Sequence, residues 1–101
     1  MNKKEDCIKR INENIEQIEC LKKLNKEILQ EISIYKIGDE FVYPDIDNVV
    51  LRIRTLNVDS DLNSICYLFD NYTNGEFQHD FVMDETFVIY QVENNSLIFK
   101  N

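Results

Sequence analysis

The chain has 101 residues, 44% of them hydrophobic, and a formal net charge of −8. That length suits one small domain with an appendage, and the apolar content excludes a solvated, disordered tail. The excess of negative charge argues against direct contact with nucleic acid or an anionic membrane, since phosphate contacts need clustered Lys and Arg.

The charge is divided by position. Residues 1–36 hold eight Lys/Arg against seven Asp/Glu, a net of +1, whereas residues 37–101 hold three against twelve, a net of −9. All the aromatic residues, five Tyr and six Phe, lie from Tyr35 onward, and both glycines and the single proline follow Ile37. The division predicts an α+β protein: an amphipathic helix over 1–35 joined to an acidic β-domain over 36–101.

The chain opens with Lys3, Lys4, Glu5 and Asp6 rather than the apolar core of a secretory signal, and no stretch approaches the ~20 apolar residues that span a bilayer. Three cysteines (Cys7, Cys20, Cys66) form an odd set without ligand spacing, which argues for reduced, buried thiols rather than a disulfide framework or a zinc site. The expected setting is the cytoplasm of a bacterial host. Abundant Asn, Lys, Ile and Asp suit an AT-rich genome, such as that of a low-GC bacterium or its phage.

In chain order, apolar residues recur at Ile8, Ile11, Ile15, Ile18, Leu21, Leu24, Ile28 and Ile32. Spacings of three and four are helical, and no Gly or Pro interrupts residues 6–34. The first four positions follow a heptad rhythm, and the three-residue step to Leu21 is a stammer. A helix of nearly thirty residues would run ~40–45 Å, longer than a small barrel can cover. The stripe from Ile8 to Ile28 therefore predicts a self-associating coiled coil, most simply a parallel or antiparallel dimer. The alternative is a helix broken near Asn25 and folded back on its own barrel.

Beyond Ile34 the pattern changes to short strands. Phe41, Val42 and Tyr43 begin the first, Pro44 to Asn48 turn the chain, and residues 49–56, 64–72, 76–82, 86–92 and 96–100 complete five or six strands. Asn74-Gly75 is the strongest hairpin signal.

Ile37-Gly38-Asp39-Glu40-Phe41-Val42, residues 49–53, Cys66-Tyr67-Leu68-Phe69, Glu76-Phe77 and Phe81 resemble the small bacterial and phage SH3-like proteins of the YodC type over residues 36–92. The resemblance implies a small antiparallel SH3-like barrel and transfers no active site. The long helix, a longer acidic second loop and an extra C-terminal strand depart from that pattern.

Candidate chemistry is sparse. His79 precedes Asp80, but neighbours on a strand point to opposite faces, so no triad follows. Asp59, Asp61 and Asn63 imitate the start of a calcium loop with Asp70 at the twelfth position, yet Ser64 stands where glycine is needed. No cofactor, metal or catalytic residue is expected. Arg52 and Arg54 share one strand face, either pairing with carboxylates or gripping an anionic nucleotide stacked on Tyr43, Tyr67, Tyr72 or Tyr90. The acidic residues Asp39, Glu40, Asp45, Asp47, Asp59, Asp61, Asp80, Asp84 and Glu85, with Asp70 and Glu76, are candidates for a partner-binding face that imitates nucleic-acid charge. The leading expectation is a non-enzymatic phage or mobile-element inhibitor. It would occlude a basic site on a host defence or nucleic-acid enzyme, as anti-CRISPR-type proteins do. Sequestration of a signalling nucleotide and a structural adaptor are the alternatives.

Overall fold

Asn2 is the N-cap of a helix, α1 (Lys3–Ile32): its side-chain oxygen accepts a hydrogen bond from Lys4 N at 2.9 Å, and Glu5 and Asp6 complement the dipole in the first turn. The computed structural model describes residues 2–59, 61 and 63–100. α1 is unbroken through Asn25 and its thirty residues dominate a molecule 68 Å in its longest dimension. The sheet domain therefore sits at one end of a stalk.

The last turn of α1 is fastened by side chains that the sequence places just beyond it. Lys36 Nζ donates to the carbonyls of Gln30, Glu31 and Ser33, so an ammonium sits at the negative end of the helix dipole. Gln30 Oε1 accepts from Ile37 N at 3.2 Å, and Asp39 Oδ2 accepts from Lys36 N at 2.8 Å. Gly38 takes φ +93°, the left-handed conformation that this turn requires.

Five antiparallel strands follow: β1 (Glu40–Val42), β2 (Val49–Asp59), β3 (Ser64–Thr73), β4 (Glu76–Asp84) and β5 (Ile98–Lys100), in spatial order β4-β3-β2-β1-β5. β4 and β5 are the edges, so the sheet is open rather than a closed barrel. A bulge between Ile53 and Thr55 changes the alternation of β2. Leu51 and Ile53 enter the core two residues apart, and Leu56 follows after three. Residue 54 is the extra one.

The expected strand at 86–92 is instead a helix, α2 (Glu85–Glu93). Its Val, Ile, Phe and Tyr content favours a strand, but context overrides composition here. One helical turn apart, Val88 is fully buried and Val92 packs against the core. The chain then closes through Asn95 at φ 61° and the buried Leu97 into β5, shorter than expected.

The core consists of Leu29 from α1, Phe41, Leu51, Ile53, Leu56, Tyr67 and Phe69 from the sheet, Val88 from α2 and Leu97. Tyr35 packs edge-on to Phe41 at 4.9 Å, and Phe69 stacks on Phe81 at 5.5 Å. Tyr67 has no exposed surface. Its hydroxyl donates to Glu85 Oε2 and accepts from Tyr35 N at 3.2 Å, while the same Glu85 oxygen accepts from Ile34 N at 3.1 Å. One carboxylate thus joins the exit of α1, the core of β3 and the first turn of α2.

Burial, reinforced by the bond to Glu85, pushes the Tyr67 phenol well above its ordinary value, and burial raises Tyr35 as well. Above pH ~10 the unfolded chain releases these protons while the native state retains them, so stability falls as pH rises. Tyr67→Phe should cost about 2 kcal/mol at pH 7, or roughly 10 °C in Tm, and should flatten the alkaline decline of a denaturant midpoint. An unchanged alkaline slope in Tyr67→Phe would show that this hydroxyl is not its source.

Candidate functional site

Three surfaces could carry function: the outer stripe of α1, the basic residues of the sheet and the acidic loops. On α1, Ile8, Ile11, Ile15, Ile18, Leu21, Leu24, Ile28 and Ile32 are each 47–61% exposed, whereas Leu29 is 7% exposed. Leu29 points into the core, and Lys22, Asn25 and Lys26 line the crevice between α1 and Thr55, Leu56 and Asn57 of β2. Among the described residues, nothing covers the stripe before Lys22. Cys7 and Cys20 are exposed on the helix, contrary to the expectation of buried thiols. Cys66 is half-buried, and burial raises its thiol.

The arginines of the β-domain pair with cross-strand carboxylates, the first of the two readings that the sequence offered for Arg52 and Arg54. Strand register places Lys100, Glu40, Arg52, Asp70 and Asp80 in one row across β5, β1, β2, β3 and β4. Arg52 Nη2 lies 2.6 Å from Glu40 Oε2, and Lys100 Nζ lies 4.0 Å from the other oxygen of Glu40. Arg54 binds Asp70 with both Nε, at 3.0 Å, and Nη2, and its Nη1 reaches Asp80 at 3.4 Å. Asp70 is itself 7% exposed. With Arg54 from the bulge, three cations balance the row's three carboxylates, and they include every Lys and Arg of residues 37–101.

Arg52 also lies over the Tyr72 ring at 5.0 Å, and Arg54 lies 6.0 Å from Phe77. Both arginines are therefore engaged by carboxylates and rings, so an anionic ligand would have to displace Glu40 or Asp70. Tyr67 lies in the core and cannot stack on a base, Tyr43 is half-buried against the core, and Tyr90 is exposed on α2. The structure does not bring these tyrosines to the arginines; it brings Tyr72 and Phe77.

The acidic residues do not share one face. Asp45 and Asp47 in the β1–β2 loop and Glu76 at the start of β4 are exposed at one end of the sheet. The two loops are tied by Asn74 N donating to Asn48 O at 2.8 Å. Asp59 and Asp61 lie at the far end of β2, about 33 Å away at ~3.3 Å per residue. Glu40 and Asp80 belong to the neutral row, while Asp39 and Glu85 are spent on the hydrogen bonds that fasten α1. Asp84 is the N-cap of α2 and has one buried oxygen, Oδ1, without a partner among the described residues. The charge that remains outward is thus held at two ends, and the middle of the sheet is neutral.

His79 is exposed on β4 and edge-on to Phe81 at 5.9 Å, while Asp80 turns to Arg54. Asp59 Oδ1 accepts from Asp61 N at 3.0 Å, and Asn63 sits at φ 50°, so the calcium-like spacing is a polar turn. Among the described residues, no three His, Cys, Asp or Glu gather as metal ligands.

Arg54→Met should strand the Asp70 carboxylate against the sheet and lower Tm by several degrees. Adding Asp70→Asn should restore most of that loss in thermal melts. If the double variant melts no higher than the single one, the pairing is not the reason that Arg54 matters.

No protein family, curated protein or solved structure was found to match the chain.

Proposed function

We propose that the chain is a non-enzymatic binding protein that works as a self-associated pair, with α1 as the joining element and the acidic β-domain as the head that meets a basic partner. One observation carries this reading: eight Ile and Leu side chains, each about half exposed, line a helix that leaves its own domain behind. A monomeric domain seldom leaves so continuous an apolar line in water. Burying the exposed halves of Ile8, Ile11, Ile15 and Ile18 on two copies contributes about 1 kcal/mol each, or roughly 8 kcal/mol. Association costs about 4–15 kcal/mol, so the pair is finely balanced and its mass should rise with concentration.

The head fits an SH3-like arrangement in its strand order, with the meander β2-β3-β4 and β5 returning to β1. Its outward charge supports occlusion of a basic site on a host nucleic-acid enzyme, the reading in which a phage-type inhibitor acts. With two separated acidic ends, the contact would be made by an end of the sheet, Asp45, Asp47 and Glu76 or Asp59 and Asp61, rather than by its neutral face.

Light scattering and sedimentation should give twice the chain's mass at high concentration, and Ile11→Asp with Ile15→Asp should hold the protein at monomer mass with its fold intact. A full-length protein that stays monomeric at every concentration would remove the pairing. Capture of a basic protein from low-GC bacterial lysate should weaken from low to moderate salt, because the Debye length shortens as salt rises. Neutralising Asp45, Asp47 and Glu76, or Asp59 and Asp61, should abolish it at one end only. Capture that is indifferent to salt and to both sets of substitutions would remove the electrostatic reading.

A further inference from the structure

We infer that the second copy lies antiparallel along Ile8, Ile11, Ile15 and Ile18, with the pairing centred on Glu13, so that the two β-domains stand at opposite ends of the pair. This rests on self-association through α1 and adds its direction and register.

The domain's own position carries the inference. Continued without a break, the heptad of Ile8, Ile11, Ile15 and Ile18 reaches Lys22, Asn25 and Leu29. On a straight helix this series drifts only ~20° per heptad, so all seven residues share one side of α1. Lys22, Asn25 and Leu29, with Lys26, line the crevice against Thr55, Leu56 and Asn57 of β2. The seam that is open at residues 8–18 is therefore walled from residue 22 by the chain's own sheet, across a crevice in which Lys22 and Asn25 stay exposed, and is filled at Leu29. A partner helix lying parallel and in register on the open part would run into that sheet one turn later. Leu21, Leu24 and Ile28 remain exposed because they lie round the helix from the blocked side.

An antiparallel partner meets no such obstacle. When positions summing to 26 face each other, Ile8 is level with the partner's Ile18 and Ile11 with the partner's Ile15. All four isoleucines of both copies are then used. The partner's helix begins at Lys3, which falls level with Lys23, where the crevice with β2 opens. The available seam and the available length of helix end at the same place. Charge agrees with this direction. Residues 13–19 carry three Glu and no base, whereas residues 3–10 carry four Lys/Arg and two acids. Parallel pairing sets the all-acidic segments side by side, while antiparallel pairing brings Glu16 level with Arg10 and beside Lys9 of the second copy.

The test is a spin-label distance on the full chain carrying Lys3→Cys in a background of Cys7→Ser, Cys20→Ser and Cys66→Ala, with solution mass and helix content read on the same labelled sample. The antiparallel pair sets the two labels twenty residues apart along the axis, about 30 Å. A parallel pair brings them within about 20 Å, the spacing of packed helices plus the label arms. A distance near 30 Å in a sample of doubled mass supports the inference. A short distance at doubled mass overturns the orientation and leaves self-association standing. Monomer mass with no dipolar signal and intact helix content overturns self-association and, with it, the orientation.

Discussion

The placement of every surface follows from how α1 ends. Leu29 buries itself in the sheet's aromatic core, and within seven residues the chain spends Ser33, Tyr35 and Lys36 on holding that turn. Glu85 receives both the Ile34 amide and the Tyr67 hydroxyl, which ties the helix exit to β3 and α2 at one oxygen. A charged acceptor in a half-buried site makes stronger hydrogen bonds than a neutral one, and removing a partner strands groups that burial has already desolvated. The helix therefore leaves the domain in a fixed direction. Without that junction α1 would be a tether, and no geometry could be argued for the residues along it.

Electrostatics of the head follow a similar economy of position. A domain with twelve carboxylates and three bases has an obvious problem of self-repulsion. The sheet resolves it locally by setting Lys100 and Arg52 in the register row that holds Glu40, Asp70 and Asp80, with Arg54 reaching Asp70 and Asp80 from the bulge beside it. The bulge at Arg54 matters here. The extra residue lets two arginines of β2 serve adjacent carboxylates and also lets Leu56 reach the core. What is left of the negative charge is in loops, where water solvates it, and at the two hairpin ends, where a partner could reach it. Tyr67, which has the residue type of a stacking ligand contact, is instead a core residue whose hydroxyl is satisfied internally.

The sequence was informative where one local rule dominated. Three-and-four spacing without Gly or Pro announced α1, and the breaks between the apolar runs that follow each hold an asparagine at positive φ: Asn48, Asn63, Asn74 and Asn95. It misled where local preference and tertiary demand differ. Residues 86–92 have strand-like content, yet the core needs Val88 and Val92 one turn apart, and the junction needs Glu85 at a helix start. Pairing of Arg52 and Arg54 with carboxylates was legible, but their partners and the row were not, because these exist only through the register of five strands and a bulge. Nor could exposure of Cys7 and Cys20 be anticipated from a pattern that treats the whole helix as packed.

The stripe on α1 also bears on how the chain folds. Helix before Lys22 is exposed throughout its described length, and most helical stability in proteins comes from packing of an apolar face rather than from propensity. Asn2, Glu5 and Asp6 favour its start, and Glu19–Lys22 at 3.9 Å adds only a solvent-exposed pair. None of these compensates for four isoleucines left half in water. The head can be stable through its own core, whereas the outer turns of α1 gain packing only when another surface covers them. In the proposed pair, covering these isoleucines would stabilise a helix that the single chain already forms, and any competitor that covers the same four would dissolve that pair and keep the helix formed.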